Sequence, residues 1–320
     1  MTIMVVGDAN ADLTAVLTRF PHEGDDSPVS VLQWGSGGSS ANTAAGLVLL
    51  GQPTQLLARV GPDPAADVAL RVVRAAGVDL RAIQIDPTIA TGLCYAAISP
   101  SGERTFFAFR GANVQLAYMP GMLDSITWLH LGGHALLEGQ QHDTARALLS
   151  EAATRGIPVS LDLCLPLLRA RRGEVLQLLP QIRMLFANAE ELRLLAVGDA
   201  DLGDAPDQLA AYAARIGQLG VATVIGKCGA DGCVLVEGHQ IWQIAGYPVV
   251  ALDTNGCGDA FAAGFLDAWR RGYSLTACAR AANACGAIAA TRVGAAEALP
   301  NAAELEAFLA EQDALLHQRR

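Results

Sequence analysis

Asp253-Thr-Asn-Gly-Cys-Gly-Asp259-Ala-Phe-Ala-Ala-Gly-Phe265 is the stretch on which the reading of this chain turns. Two carboxylates bracket a turn of small residues, and an Ala/Phe-rich helical pattern follows without a break. Gly256 and Gly258 let the backbone pass close to a ligand. A turn that opens a helix aims unpaired N–H groups and a positive dipole end at whatever lies above it, which makes a cradle for negative charge. Asp259 stands at the edge of that cradle, where a carboxylate can take a proton from an attacking hydroxyl. An anion cradle beside a base points to phosphoryl transfer to an alcohol. Cys257 is read as a small residue of the cradle and not as a nucleophile, because no histidine lies near it in sequence.

Working outward, short apolar runs alternate with amphipathic or Ala-rich segments. Strands are expected at 2–6, 55–60, 126–131, 157–162, 183–187, 221–226 and 232–236, with 247–252 as a further short strand if the Asp253 loop follows one. Helices are expected at 40–50, 64–76, 141–155, 173–179, 205–219, 258–271, 274–291 and 302–316. This alternation predicts an α/β fold with a parallel sheet covered on both faces. In such sheets the active site lies beyond the carboxyl ends of the strands, where Asp162, Asn188 and Lys227 fall. Two segments break the alternation. Residues 12–34 and 91–110 read as strands, the second as a β-hairpin around Pro100-Ser-Gly-Glu103, and together they predict a small separate sheet.

The 320 residues are 52% hydrophobic and 17% charged, which excludes a disordered chain. A net charge of −10 disfavours nucleic acid and anionic membranes as partners, and no apolar run reaches the length of a membrane span. The first residues lack the basic region of a secretory signal and read as a buried strand. The seven cysteines form no Cys-x-x-Cys pair, which reads as free thiols in a reducing cytoplasm.

The 253–265 stretch resembles the C-terminal signature of the ribokinase-like (PfkB) family of carbohydrate kinases, with Asn255 and Cys257 in place of the common residues. Gly37-Gly38-Ser39-Ser40-Ala41-Asn42 is similar to that family's sugar-binding signature. Gly7–Asp12, Gly61-Pro-Asp63, Gly102-Glu-Arg-Thr105, Gly111-Ala-Asn113, Asn188–Glu191 and Lys227–Gly232 follow in the family's order, so the resemblance spans about residues 3 to 309. It implies a ribokinase-like three-layer α/β/α fold with a mostly parallel central sheet and a small β-sheet lid, in one kinase domain over 1–320. It also implies an ATP- and Mg2+-dependent phosphotransferase acting on a small sugar, and a homodimer joined through the lid.

The resemblance assigns roles residue by residue. Asp259 is the base, and the amides of Gly256, Cys257 and Gly258 form the anion hole. Asp12, Asn10, Gly37, Gly38 and Asn42 hold the acceptor. Asn188, Lys227, Gly229, Gly232 and Asn283 lie along the nucleotide, and Glu191 organises magnesium through water. Asp253, with Ala289, Arg292 and Gly294, matches the loop that holds a monovalent cation, potassium. Most of these residues also have a plain structural reading. Asn42 and Asn188 can be helix caps, Asp253 a turn former, Asp259 a first-turn carboxylate and Lys227 a surface lysine. Two departures matter. Ser39 stands where ribokinases carry a sugar-contacting lysine, and Asp162-Leu-Cys-Leu-Pro166 lacks the Asn and Arg of the fructokinase pattern. A hydroxyl-lined pocket with few cations points to a neutral sugar or a nucleoside. The alternatives are a nucleoside kinase of the same fold and a non-catalytic sugar or nucleotide sensor. A dinucleotide oxidoreductase is disfavoured, because no Gly-x-Gly-x-x-Gly follows the first strand.

Overall fold

The computed structural model describes residues 2–198 and 206–318. The chain opens with β1 (Thr2–Val6), β2 (Asn10–Leu17) and β3 (Val29–Gly37), then α1 (Ser39–Leu49), β4 (Thr54–Leu57), β5 (Arg59–Val60) and α2 (Pro64–Ala76). Strands β6 (Gln84–Ile85), β7 (Gly92–Ile98), β8 (Arg104–Phe109) and β9 (Ile126–Gly132) precede α3 (Gly139–Arg155), β10 (Val159–Asp162) and α4 (Leu165–Leu178). Next come β11 (Met184–Asn188), α5 (Ala189–Val197), α6 (Pro206–Gly217), β12 (Thr223–Lys227), β13 (Cys233–Glu237) and β14 (Gln240–Ile244). Helices α7 (Cys257–Arg270), α8 (Leu275–Ala290) and α9 (Ala302–Gln318) complete the chain.

The central sheet runs β14-β13-β12-β11-β10-β9-β1-β4, parallel except for the β12-β13-β14 meander. Its inner strands β1, β9, β11 and β12 are mostly apolar and buried because both faces are covered. Along β1, Ile3 and Val5 pack into one core with α1, α2, α7 and α8, and Met4 and Val6 into another with α3 to α6. This is the three-layer arrangement expected. A second sheet, β3-β2-β7-β8, stands apart from it. Its strands reach further than the 12–34 expectation. β2 begins at Asn10 and β3 runs to Gly37, so the strands are continuous with the residues flanking Asp12.

Several local expectations are corrected. The strand at 55–60 is broken at Ala58, where the chain leaves the central sheet and β5 pairs with β6. The helix at 173–179 is the second half of α4, which starts at Leu165 and breaks at Arg171 (φ −140°, ψ 28°). Pro166 in its first turn is a position where proline is tolerated. Strand β14 was not expected because its Gln-Ile-Trp-Gln-Ile stretch is half exposed at the sheet edge. Helix α5 was anticipated only as a start at Asn188, since it has just nine residues. Residues 247–252 form no strand. Helix α6 is described from Pro206, and position 205 of the expected 205–219 helix lies outside the described residues. Among the described residues no helix is long and apolar enough to cross a membrane.

Candidate active site

Helix α7 begins beyond the carboxyl ends of β10, β11 and β12, and its entry depends on glycine. Gly256 is left-handed (φ 74°), and a Cβ there would sit 2.8 Å from the Ala295 carbonyl oxygen. Gly258 faces Lys227: a Cβ on it would lie 3.4 Å from Nζ. The Cys257 amide leans back toward the Thr254 carbonyl at 3.4 Å, a long contact that leaves it available to an anion. The Cys257 thiol is pushed up to about 11 by burial and by the Asp253 and Asp259 carboxylates, so it stays protonated near neutral pH and is no nucleophile.

Asp259 occupies the first turn of α7 and is fixed by two side chains from the first turns of α1. Ser39 Oγ donates to Oδ1 and Asn42 Nδ2 to Oδ2, each at 2.7 Å. Burial raises its pKa to about 6, Asn42, Ser39 and Lys227 pull it down, and Asp162 adds to the rise. A carboxylate poised near neutrality suits a general base. Asn42 therefore points its amide at the Asp259 carboxylate. Its carbonyl oxygen is buried and has no hydrogen-bond partner among the described residues.

The Asp12 carboxylate has no hydrogen bond or ion pair among the described residues. Burial, with the nearby charges of Glu297 and Asp259, raises it to about 7. Its carboxylate fills the space beside Gly37, where a Cβ would fall 2.2 Å from both oxygens. Gly38 (φ 93°) packs equally tightly, its Cβ position lying 2.4 Å from the Asp8 carbonyl oxygen. Asn10 accepts from the buried Asn113 amide at 2.8 Å, which sets the start of β2.

On the nucleotide side, Lys227 Nζ binds both oxygens of Asp162 at 2.6 and 2.9 Å. Burial alone would lower its pKa, but Asp162, Glu191 and Asp259 outweigh burial and hold the amine charged. Asn188 and Glu191 form a reciprocal capping box at the start of α5, Asn188 Oδ1 accepting from the Glu191 amide at 2.9 Å and Glu191 Oε2 from the Asn188 amide at 2.8 Å. The structural reading of this pair is thus present, and burial also lifts Glu191 to about 7. A cavity of about 620 Å³ extends from Asn188, Lys227 and Gly258 past Thr254 to Pro248 and Asn283. Gly229 and Gly232 line it too, and a Cβ on Gly232 would meet the Ile244 carbonyl at 2.1 Å. Asn283 spends its amide on the carbonyls of Ile244 and Ala245, at 3.2 and 3.1 Å, and so holds the cavity wall.

Around Asp253, Oδ1 accepts from the Asn255 amide at 2.9 Å and Oδ2 from the Gly294 amide at 3.1 Å. Arg104 of β8 reaches across to pair with Oδ1 at 2.9 Å and donates to Asn255 Oδ1 at 3.1 Å. The Ala289 carbonyl accepts from the Arg292 amide, and the Arg292 guanidinium turns to Glu304 at 2.6 Å. Sequence reasoning gave no site role to Ser39, Arg104, Asp162 or Glu297. Arg104 lay in a quoted segment and Asp162 at a quoted strand end, but their partners are far away along the chain.

A glycine-rich helix start, a half-buried carboxylate in its first turn, and a cavity of about 620 Å³ beside it on a three-layer α/β/α fold fit a phosphotransferase with an alcohol acceptor. Residues 1–302 match the model of the pfkB family carbohydrate kinases, and the chain belongs to that family. It is 31% identical to the ATP-dependent ribose-1-phosphate kinase of Halopiger xanaduensis, over 97% of this chain and 98% of that one. It is 29% identical to Escherichia coli fructokinase, over 84% of this chain and 90% of that one. The structure of Arabidopsis thaliana ribokinase complexed with ribose and ATP superposes with a TM-score of 0.80 at 25% identity, covering 96% of this chain and 98% of that one.

Proposed function

We propose that this kinase transfers the γ-phosphoryl group of ATP to a primary hydroxyl of a small neutral sugar. The observation that carries the reading is Asp259, half-buried, fixed by Ser39 and Asn42, and set on the first turn of α7 next to the Lys227 ammonium. Above its pKa of about 6, Asp259 takes the proton of the acceptor hydroxyl as that oxygen attacks the γ-phosphorus. The bond from phosphorus to the bridging oxygen of ADP breaks in line, and the proton passes to solvent as product leaves. The amides of Gly256, Cys257 and Gly258, with Lys227, hold the charge on the group in flight. Asp12, Asn10 and Asn42 grip the sugar, and Gly37 and Gly38 give it backbone on which to rest.

Magnesium bound with the triphosphate would neutralise its β and γ oxygens. Among the described residues no group of three or more His, Cys, Asp or Glu is placed to hold a metal. Phosphate oxygens and water then supply most ligands, with Asn188 and Glu191 near the water shell. A monovalent cation at Asp253 fits poorly, since two backbone N–H groups and a guanidinium already face that carboxylate.

The cations near the acceptor side are each paired: Arg110 with Asp8 and Arg71 with Glu297. This pairing favours a neutral acceptor over ribose 1-phosphate. Phe106, Phe107 and Phe109 on the lid, each more than half exposed, support a nucleoside as the second reading. The exposed Val31, Leu32 and Trp34 of β3 support a homodimer through the lid, and seven free cysteines support a cytoplasmic setting. The test is an ADP-release assay with ATP and a panel of pentoses, hexoses, nucleosides and ribose 1-phosphate. Turnover highest on a neutral sugar is expected; no turnover on any acceptor, with nucleotide still bound, makes the chain a sensor.

A further inference from the structure

Arg104 is the residue that neither the motif nor the mechanism accounts for. It stands at the first position of β8, paired across the hairpin with Ile98, so it belongs to the lid and not to the catalytic layer. From there it crosses to the loop that opens α7. One guanidinium nitrogen lies 2.9 Å from Asp253 Oδ1, and the other donates to the side-chain oxygen of Asn255 at 3.1 Å. Three chain segments therefore converge on one carboxylate: the lid through Arg104, the anion-hole turn through the Asn255 amide, and the loop after α8 through the Gly294 amide.

A monovalent cation binds where lone pairs of carbonyl and carboxylate oxygens converge without competing hydrogen-bond donors. The arrangement at Asp253 has the opposite polarity. Three N–H donors point at the carboxylate, the Ala289 carbonyl is taken by the Arg292 amide, and the Arg292 side chain leaves for Glu304. The unit positive charge that a cation would bring is already present on Arg104, and a second one so close would be repelled. A guanidinium is also permanently charged and offers a planar fork, which here spans Asp253 and Asn255 together.

We propose that Arg104 takes the place of a monovalent cation at Asp253, so that the kinase works without potassium and its anion-hole loop is held in shape by the lid. The inference rests on the kinase reading above and adds a dependency to it. The charge that orders the anion-hole turn arrives with the lid, so phosphate binding and lid position are linked.

The test uses the full chain in KCl, NaCl and tetramethylammonium chloride at equal ionic strength, with two readouts: kcat/KM for ATP, and the melting temperature without substrates. In the wild type, kcat/KM is expected to change by less than about fivefold across the salts, below the range of a genuine coupling between sites, and the melting temperature should not depend on the cation. R104M is expected to lose about a hundredfold in tetramethylammonium, as for a deleted anion-hole donor, and to regain activity and melting temperature specifically in potassium. R104K keeps the charge and should remain indifferent to potassium. A wild type that needs potassium, or that melts higher in it, overturns the proposal. So does an R104M that is equally weak and equally stable in every salt. If the wild type turns over no acceptor in any salt, the kinase reading fails, and the melting temperatures still decide the cation question.

Discussion

Asn42→Ala separates the two jobs open to that residue. Its amide donates to Asp259 Oδ2 at 2.7 Å, so it stabilises the charged carboxylate and holds its pKa down against burial. A hydrogen bond to a charged group contributes about 2 kcal/mol. Dividing by 1.36 kcal/mol per unit gives a rise of about 1.5 units when the amide is removed. Asp259 would then titrate near 7.5 (about 6 before the change), and at pH 7 its ionised fraction falls from about nine-tenths to about a quarter. The sign follows from the base mechanism: only the ionised form accepts the proton, so the loss lies on the acid side and disappears as pH rises. The assay is kcat between pH 5 and 9.5 at saturating ATP and acceptor. The variant should run about fourfold slower at pH 7 and match the wild type above pH 9. Ser39→Ala should move the acid limb the same way, since its hydroxyl serves the other oxygen at 2.7 Å. An unmoved acid limb with only a raised acceptor KM would refute the reasoning and return Asn42 to sugar binding alone.

Asp259→Asn should lower kcat by about a thousandfold, the scale of a positioned base, with ATP affinity by calorimetry unchanged. Gly37→Ala places a Cβ 2.2 Å from both Asp12 oxygens, so acceptor KM should rise steeply while ATP affinity and circular dichroism hold. Asp12 has its folded pKa raised to about 7 from 3.8, so the folded state binds the extra proton, and its contribution to stability is greatest below pH 4 and lost as pH climbs through 7. Accordingly, Asp12→Asn should melt higher than the wild type at pH 8 and nearly level with it at pH 4. Equal melting at pH 8 would mean that the buried charge is relieved by some other group.

What the sequence made legible was whatever is local. The apolar runs of β1, β11 and β12 announce strands covered on both faces, and the 253–265 stretch carries its own turn, dipole and base. The Asn188–Glu191 spacing announces a helix start, and a capping box is what stands there. What stayed hidden depends on partners brought together by folding. Ser39 and Asn42 meet Asp259 across more than 200 residues, and no periodicity encodes that meeting. Arg104 and Asp253 lie about 150 residues apart, and nothing in the Gly102–Thr105 segment announces that partner. Ser39 was noticed only for what it is not, a lysine, when its hydroxyl is what the base requires. Edge elements such as β14 escaped because half-exposed strands lack the apolar run that betrays their neighbours.

Strand β2, eight residues long, starts at Asn10, carries Asp12 two residues on, and ends at Leu17 within the small sheet. At the usual rise per residue that is an arm of about 26 Å whose inner end bears Asp12, the acid proposed to hold the acceptor. A tilt of a few tenths of an ångström at Asp12 sweeps the outer end through several times that distance. On the proposed reading pocket floor and roof are one ribbon, and a sugar that seats itself badly would not merely bind weakly. It would leave the canopy askew, let water keep its access and deny the phosphoryl group a dry path.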